Sequence, residues 1–305
     1  MIPDERFLRQ PKRFWANVRL LSQHIGYTAR PPAEGKKGAG SIKVPTLAEI
    51  IDAFAAMDLA SDHVCTSPTT LSKFGQTLLE YFNYRARVLN EQVNRNLMNA
   101  SEAKYEFDRL KRKLEPKCPI PMNKQKGSKK APAYLSGMVN MIVEANAAGL
   151  PCNYNPMELT TFTKDRHPIR TLARRVDGAF PSTVNPVALW EIKEYYYTTT
   201  FGSRVADGVY ESLLDGLELE NLREDENINC RHYLIIDAHD TWWKDGKSYL
   251  CRIIDMMHMG YVDEVLFGRE VIQRLPGIVR GWVGLAERRM ASPSSPTVTP
   301  GTTSG

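Results

Sequence analysis

At 305 residues, 42% hydrophobic and 25% charged, the chain has the composition of a globular protein with one large core or two moderate ones. No apolar run approaches the roughly 20 residues of a membrane span, and the opening stretch MIPDERFLRQPKRFW lacks the apolar centre of a secretion signal. The five scattered cysteines carry no Cys-x-x-Cys spacing, which argues against a zinc knuckle or disulfide scaffold and for a reducing, cytoplasmic setting. The net charge of +5 is uneven: residues 1–130 hold 23 Lys+Arg against 13 Asp+Glu, and the remainder hold 17 against 22. A basic half beside an acidic half fits a polyanion-binding part joined to one that gathers carboxylates around a metal, although ordinary drift of charge along a chain gives the same count.

Taken in order, residues 3–25 place Phe7, Phe14, Trp15, Val18, Leu21 and Ile25 near helical spacing. A Gly/Pro/Lys-rich loop follows over 26–40, and then Thr46 with Glu49 forms a capping-box pattern that opens a helix through Met57. Ser67–Thr70 reads as a second helix start, before an amphipathic stretch from Leu71 to about Met98. Ser101–Leu114 is a further helix whose Lys and Arg residues either face nucleic-acid phosphates or pair with Glu102, Glu106 and Asp108. Residues 1–115 are therefore a mainly helical, basic region, expected to bind DNA but lacking a zinc finger, a helix-turn-helix signature or a coiled-coil run. Residues 116–133, rich in Pro and Lys, form either a solvated linker or a basic loop in which Lys124, Lys126, Lys129 and Lys130 lie along phosphates.

From Tyr134 the pattern is helix, three strands, helix, strand, helix, short strand: a short apolar helix to Ala148 carrying Glu144, strands at ELTTFT, IRTLARRVDGAF and ALWEIKEYYY, a helix over Gly202–Leu222, a strand over His232–Trp243, a helix over Ser248–Met257 and a strand over Asp263–Phe267. Helical segments broken at Pro276-Gly277 follow, and residues 291–305 are expected to be disordered. Residues 134–290 thus form one α/β domain with a crossover helix.

The chemistry concentrates in RRVDGAFPSTVNPVALWEIKEYYY. Side chains alternate along a strand, so Glu191 and Lys193 share a face about 6–7 Å apart, with Trp190 and Ile192 on the other. A hairpin between the strand ending at Asp177-Gly178 and the strand of Glu191 brings Asp177 back towards Glu191. Two carboxylates, with the main-chain carbonyl of Ile192, suit a hard cation such as Mg²⁺, and Lys193 suits the orientation of a water and the offsetting of negative charge. The same residues also read, more plainly, as an edge strand with an incidental Glu/Lys pair beside an Asp-Gly turn. No P-loop, dinucleotide fingerprint, Gly-x-Ser-x-Gly elbow or His-Glu-x-x-His motif is present.

Asp177, followed at 14 positions by Glu191-Ile192-Lys193 inside an apolar strand, resembles the PD-(D/E)XK nuclease superfamily, which includes most type II restriction endonucleases. The resemblance covers roughly residues 134–268 and departs from the family pattern in having Val176 where proline often stands. It implies a mixed-sheet, restriction-endonuclease-like core flanked by helices, and Mg²⁺-dependent hydrolysis of double-stranded DNA (Mn²⁺ substituting) that leaves 5′-phosphate and 3′-hydroxyl ends. It further implies Asp177, Glu191 and Ile192 as metal ligands, Lys193 as a catalytic cation, Glu144 as an extra helix-borne acid, and a homodimer cutting both strands. Arg170, Arg174 and Arg175 either hold the scissile phosphate or pair with local acids. Asp237 is a weaker candidate acid, better explained as a strand-end cap. His232, His239 and His258 are too dispersed for a ligand set, and Tyr195–Tyr197 with Trp242-Trp243 either stack on bases or pack in the core.

Overall fold

The computed structural model describes residues 1–29, 40–123, 131–197 and 202–291. The first part is helical: α1 (Glu5–Leu8), α2 (Lys12–Ile25), α3 (Leu47–Ala56), a small hairpin of β1 (Cys65–Ser67) and β2 (Thr70–Leu71), and α4 (Lys73–Val88). Pro11 separates α1 from α2 because it has no N–H to carry a helix ladder through. The Thr46/Glu49 capping box is present at the start of α3. Ser67–Thr70, expected to start a helix, instead forms the β1–β2 turn, and the helix is capped by Ser72, whose hydroxyl accepts from the Gly75 amide at 3.0 Å. Phe7, Phe14, Trp15, Val18, Ile50, Leu78, Tyr81 and Phe82 close a core of their own between these helices.

After α4 the chain passes through a π-helical turn (Leu89–Val93) and α5 (Asn94–Asn96) into α6 (Ala100–Leu114), capped by Asn99 and Glu102. The second part contains α7 (Tyr134–Asn146), a hairpin of β3 (Thr161–Lys164) and β4 (His167–Thr171), then β5 (Gly178–Phe180), β6 (Ala188–Glu194), α8 (Ser203–Glu226), β7 (Arg231–Asp237), a π-helical turn (Asp240–Asp245), α9 (Lys247–His258), β8 (Glu264–Phe267) and α10 (Glu270–Ala291). The four-stranded sheet has the order β5-β6-β7-β8, with β5–β6 antiparallel and the other two pairs parallel. This is the expected mixed α/β core behind a helical N-terminal region.

Several expected strands are shorter than their apolar runs, and ALWEIKEYYY leaves the sheet after Glu194. IRTLARRVDGAF is split: β4 pairs only with β3, residues 172–177 leave regular pairing as Leu172 and Val176 bury against α8, and Asp177 precedes β5 instead of ending a strand. The 158–163 run contributes only its end to β3. The 232–243 run leaves the sheet at Ala238, where a φ of +113° turns the chain and sends Trp242 into the core. By contrast α10 continues through Pro276, with Leu275, Val279 and Trp282 buried along one face. Of the residues 291–305 expected to be disordered, Ala291 ends α10 and 292–305 lie outside the described residues.

Alternation along the sheet fixes the layers. Trp190, Tyr233, Ile235 and Leu266 face α7 and α10, where Trp190 stacks on Trp282 at 5.3 Å. Leu234, Ile236, Val265 and Phe267 face α9 and the start of α8, and Leu189 faces the end of α8. Glu191 and Lys193 therefore project towards α8, and Ile192 and Glu194 towards α7.

Candidate active site

The β5–β6 hairpin assembles the site from its backbone outward. Gly178 pairs with Trp190, and a Cβ there would lie 2.0 Å from the indole, so glycine is what lets the ring close over the strand. This register sets Asp177 opposite Glu191. The Asp177 amide donates to Glu191 Oε1 at 3.2 Å, and the Ile192 amide donates to Asp177 Oδ2 at 2.8 Å.

Glu191 is fully buried. Its Oε1 lies 2.9 Å from Arg174 Nη1, and Oε2 accepts from Arg174 Nη2 at 3.1 Å and from Lys193 Nζ at 2.9 Å. From α8, Glu211 meets Lys193 Nζ at 2.7 Å and Asp215 meets Arg174 Nη1 at 2.7 Å. Two cations thus bridge a strand acid and two helix acids, which gives the buried Glu191 carboxylate a counter-charge on each oxygen.

Neighbouring charge opposes burial at Glu191 and Lys193 and adds to it at Asp177 and Asp215. Burial alone would raise the Glu191 carboxyl, but Lys193 and Arg174 outweigh it and hold the group below its ordinary value. Burial works against the Lys193 ammonium, yet Glu191 and Asp177 hold it above its ordinary value. The carboxyl of Asp177 is crowded by protein although the residue opens to solvent, and this desolvation, with the Glu191 charge second, pushes it up to about 6. Asp215, fully buried with Oδ1 unpaired among the described residues, is pushed up to about 7 by burial and then by Glu191.

Across β6 lies an open cleft of about 830 Å³, lined by Asp177, Ile192, Glu194 and, from α7, Ser136 and Asn140. Glu194 accepts from the Ser136 amide at 3.0 Å at the start of α7, and burial pushes its carboxyl up to about 7. Asp177 belongs to both sides: it touches the Glu191–Lys193 cluster through the backbone and opens into the cleft.

The structure therefore brings together Asp177, Glu191, Ile192, Lys193 and Arg174. It does not bring Glu144 to them, since its carboxylate accepts from the Lys117 amide at 3.0 Å further along α7. Arg170 pairs with Asp225 at 3.1 Å, and exposed Arg175 approaches the Met157 sulfur at 3.7 Å. Arg174 is an ion-pair partner of the acids here. Lys124, Lys126, Lys129 and Lys130 lie outside the described residues. Asp237 is buried and accepts from the Tyr196 hydroxyl and the Met98 amide. Among the described residues no group of three His, Cys, Asp or Glu side chains is arranged to hold a metal ion. Glu211 and Asp215 were not anticipated. Their only trace in the sequence is an i, i+4 pair of acids on the helix after the Glu-x-Lys strand.

Residues 98–282 match the family model described as Domain of unknown function (DUF7687), and residues 1–92 match a second, Domain of unknown function (DUF7690). Neither the curated proteins nor the solved structures yield a match. No described helix is long and apolar enough to cross a membrane.

Proposed function

The chain belongs to the DUF7687 family, a membership that brings no activity with it, and from the site itself we propose a divalent-metal-dependent nuclease that hydrolyses DNA phosphodiester bonds, of restriction-endonuclease type. One observation carries the reading. An antiparallel hairpin sets Asp177 against Glu191 and Glu191 against Lys193, with Asp177 opening into the cleft, on a strand that continues through a crossover helix into a parallel partner.

The donor set fits a hard cation such as Mg²⁺ or Mn²⁺. Asp177 and Glu191 supply oxygen ligands of the kind it prefers, and the Glu191 charge, which adds to burial in raising the Asp177 carboxyl, is one that such an ion would offset. Asp177 and Glu191 would hold it, and when bound it would polarise a phosphoryl oxygen and acidify a water. The chain's own part is electrostatic. Lys193, held on Glu191 and Glu211, orients the attacking water and offsets charge developing on the phosphoryl oxygens. Arg174 keeps Glu191 ionised and fixed. The water oxygen bonds to phosphorus as the P–O3′ bond breaks, and the water's proton ends on the departing 3′ oxygen.

A second reading, a non-catalytic nucleic-acid-binding or assembly protein, is favoured by the complete burial of Glu191 and the pairing of both its oxygens. The two part on incubation of long unmodified DNA with Mg²⁺ or Mn²⁺. The nuclease reading expects cleavage by the wild type, in discrete fragments for a site-specific enzyme and random ones for a repair or defence nuclease. It also expects a loss of at least a hundredfold in Asp177→Asn and Lys193→Met, with DNA binding retained. An inert wild type under both metals, or full activity in Lys193→Met, would overturn it.

A further inference from the structure

A second pocket, of about 370 Å³, lies between α2 of the first region and α8 and α9 of the second. Its volume falls in the range of small-molecule sites. Val209, Leu213 and Met256 give it apolar walls, Tyr27 and Tyr210 give it rings, and Arg19 and Arg252 stand over it.

Its charge is unbalanced. Asp255 is the acid of the lining, and it is already spent: buried Arg85 donates to it at 2.9 and 3.0 Å, and the Tyr81 hydroxyl at 2.6 Å. Arg19 makes its side-chain contact with the Met259 sulfur at 3.4 Å, and Arg252 makes its own with the Tyr210 hydroxyl at 3.4 Å and with the Tyr27 phenol. Among the described residues neither forms an ion pair with a carboxylate. Three arginines against one aspartate leave two positive charges facing an apolar, aromatic cavity.

Arg252 is also held ready. Its guanidinium carbon lies 4.8 Å from the Tyr27 ring centroid and 5.1 Å from that of Tyr249, which restrains a fork suited to bidentate contact with phosphate. Half-buried between rings, a guanidinium without a counter-ion is stabilised by an arriving anion. Apolar walls and a solvent-facing Tyr210 ring would take a flat aromatic group alongside.

We propose that this pocket binds a 5′-phosphorylated nucleoside, its phosphate on Arg252 and Arg19 and its base against Tyr210 and the apolar wall. The site is separate from the cleft at Asp177 and stands independently of the nuclease reading.

AMP titrated calorimetrically into the full chain, without divalent ions, is expected to bind saturably in the micromolar range, on the order of 10–100 µM. Arg252→Gln is expected to weaken binding at least tenfold. Arg19→Gln, on an exposed side chain that can be exchanged without unfolding the protein, is expected to weaken it several-fold. Asp177→Asn is expected to leave it unchanged, which separates this site from the candidate active site. A 5′-phosphorylated oligonucleotide tests the source of the ligand. Tighter binding than AMP assigns the pocket to a DNA end, weaker binding to a free mononucleotide, and the site stands in either case. The proposal is overturned by no saturable heat with AMP at millimolar concentration, by unchanged affinity in both arginine variants, or by inorganic phosphate alone binding as tightly as AMP.

Discussion

Asp177, Glu191, Glu211 and Asp215 share two cations, Arg174 and Lys193, so full ionisation would leave two negative charges uncompensated next to β6. Protons make up the difference, and Asp215 is the clearest case because it has no exposure and, among the described residues, an unpaired Oδ1. Its folded carboxyl stands at about 7 against an ordinary 3.8. Such a group binds its proton more tightly in the folded state, so its stabilising contribution is complete below the unfolded value and is lost as pH rises through the folded one. Asp215→Asn keeps an acceptor for Arg174 and removes the titration. Urea unfolding of this variant between about pH 4 and pH 7 should show stability falling less steeply than in the wild type; parallel slopes would refute the account. At this scale the sequence spoke unevenly. Strand alternation placed Glu191 and Lys193 on one face, and the expected hairpin turned Asp177 towards Glu191. It could not tell that Arg174 would fold inward onto the acids, because an arginine beside a strand reads the same whether it faces a phosphate or a carboxylate.

Among the elements, the β5–β6 hairpin sets the whole arrangement, and its weakest tolerance is at Gly178. An added methyl would sit 2.0 Å from the Trp190 ring, which is itself stacked on Trp282, so neither ring has room to withdraw. Gly178→Ala is expected to cost about 1–3 kcal/mol in urea unfolding by overpacking, and to lower any metal-dependent cleavage by shifting Asp177; an unchanged midpoint would contradict this reading of the hairpin. The helix order and the crossover through α8 were legible because apolar periodicity and capping residues are local. The break at residues 172–177 was not, since Leu172 and Val176 satisfy strand propensity equally well while burying against α8. Nor was the facing of Glu211 and Asp215 onto β6 legible, because an i, i+4 spacing says that two acids share a helix face without saying what lies opposite.

For the molecule as a whole, the helical first region is joined to the α/β half by buried polar bonds. Arg85 and Tyr81 on α4 converge on Asp255 of α9, and the Asp4 amide donates to His258 Nε2 at 3.0 Å. Removing one partner of a buried pair strands the other charge, so Arg85→Leu is expected to cost about 3–5 kcal/mol, with Arg85→Leu/Asp255→Leu recovering part of it. Because these bonds tie the two parts, thermal unfolding followed by fluorescence and by circular dichroism should give one coincident transition in the wild type. Two separated transitions would show that the halves melt independently.

The tight pairing of Arg174 and Lys193 has an effect at a distance. Charges neutralised within a few ångströms project almost no field into solvent, so the two cations closest to the proposed chemistry do nothing to draw a polyanion from afar. On α6, Lys104 and Arg109 are similarly tied up by Asp108 and Glu106, while Lys111, Arg112 and Lys113 stand exposed at its last turn. Capture and chemistry would then answer to different residues: rising salt would slow arrival through this exposed trio and leave the buried ion pairs almost untouched.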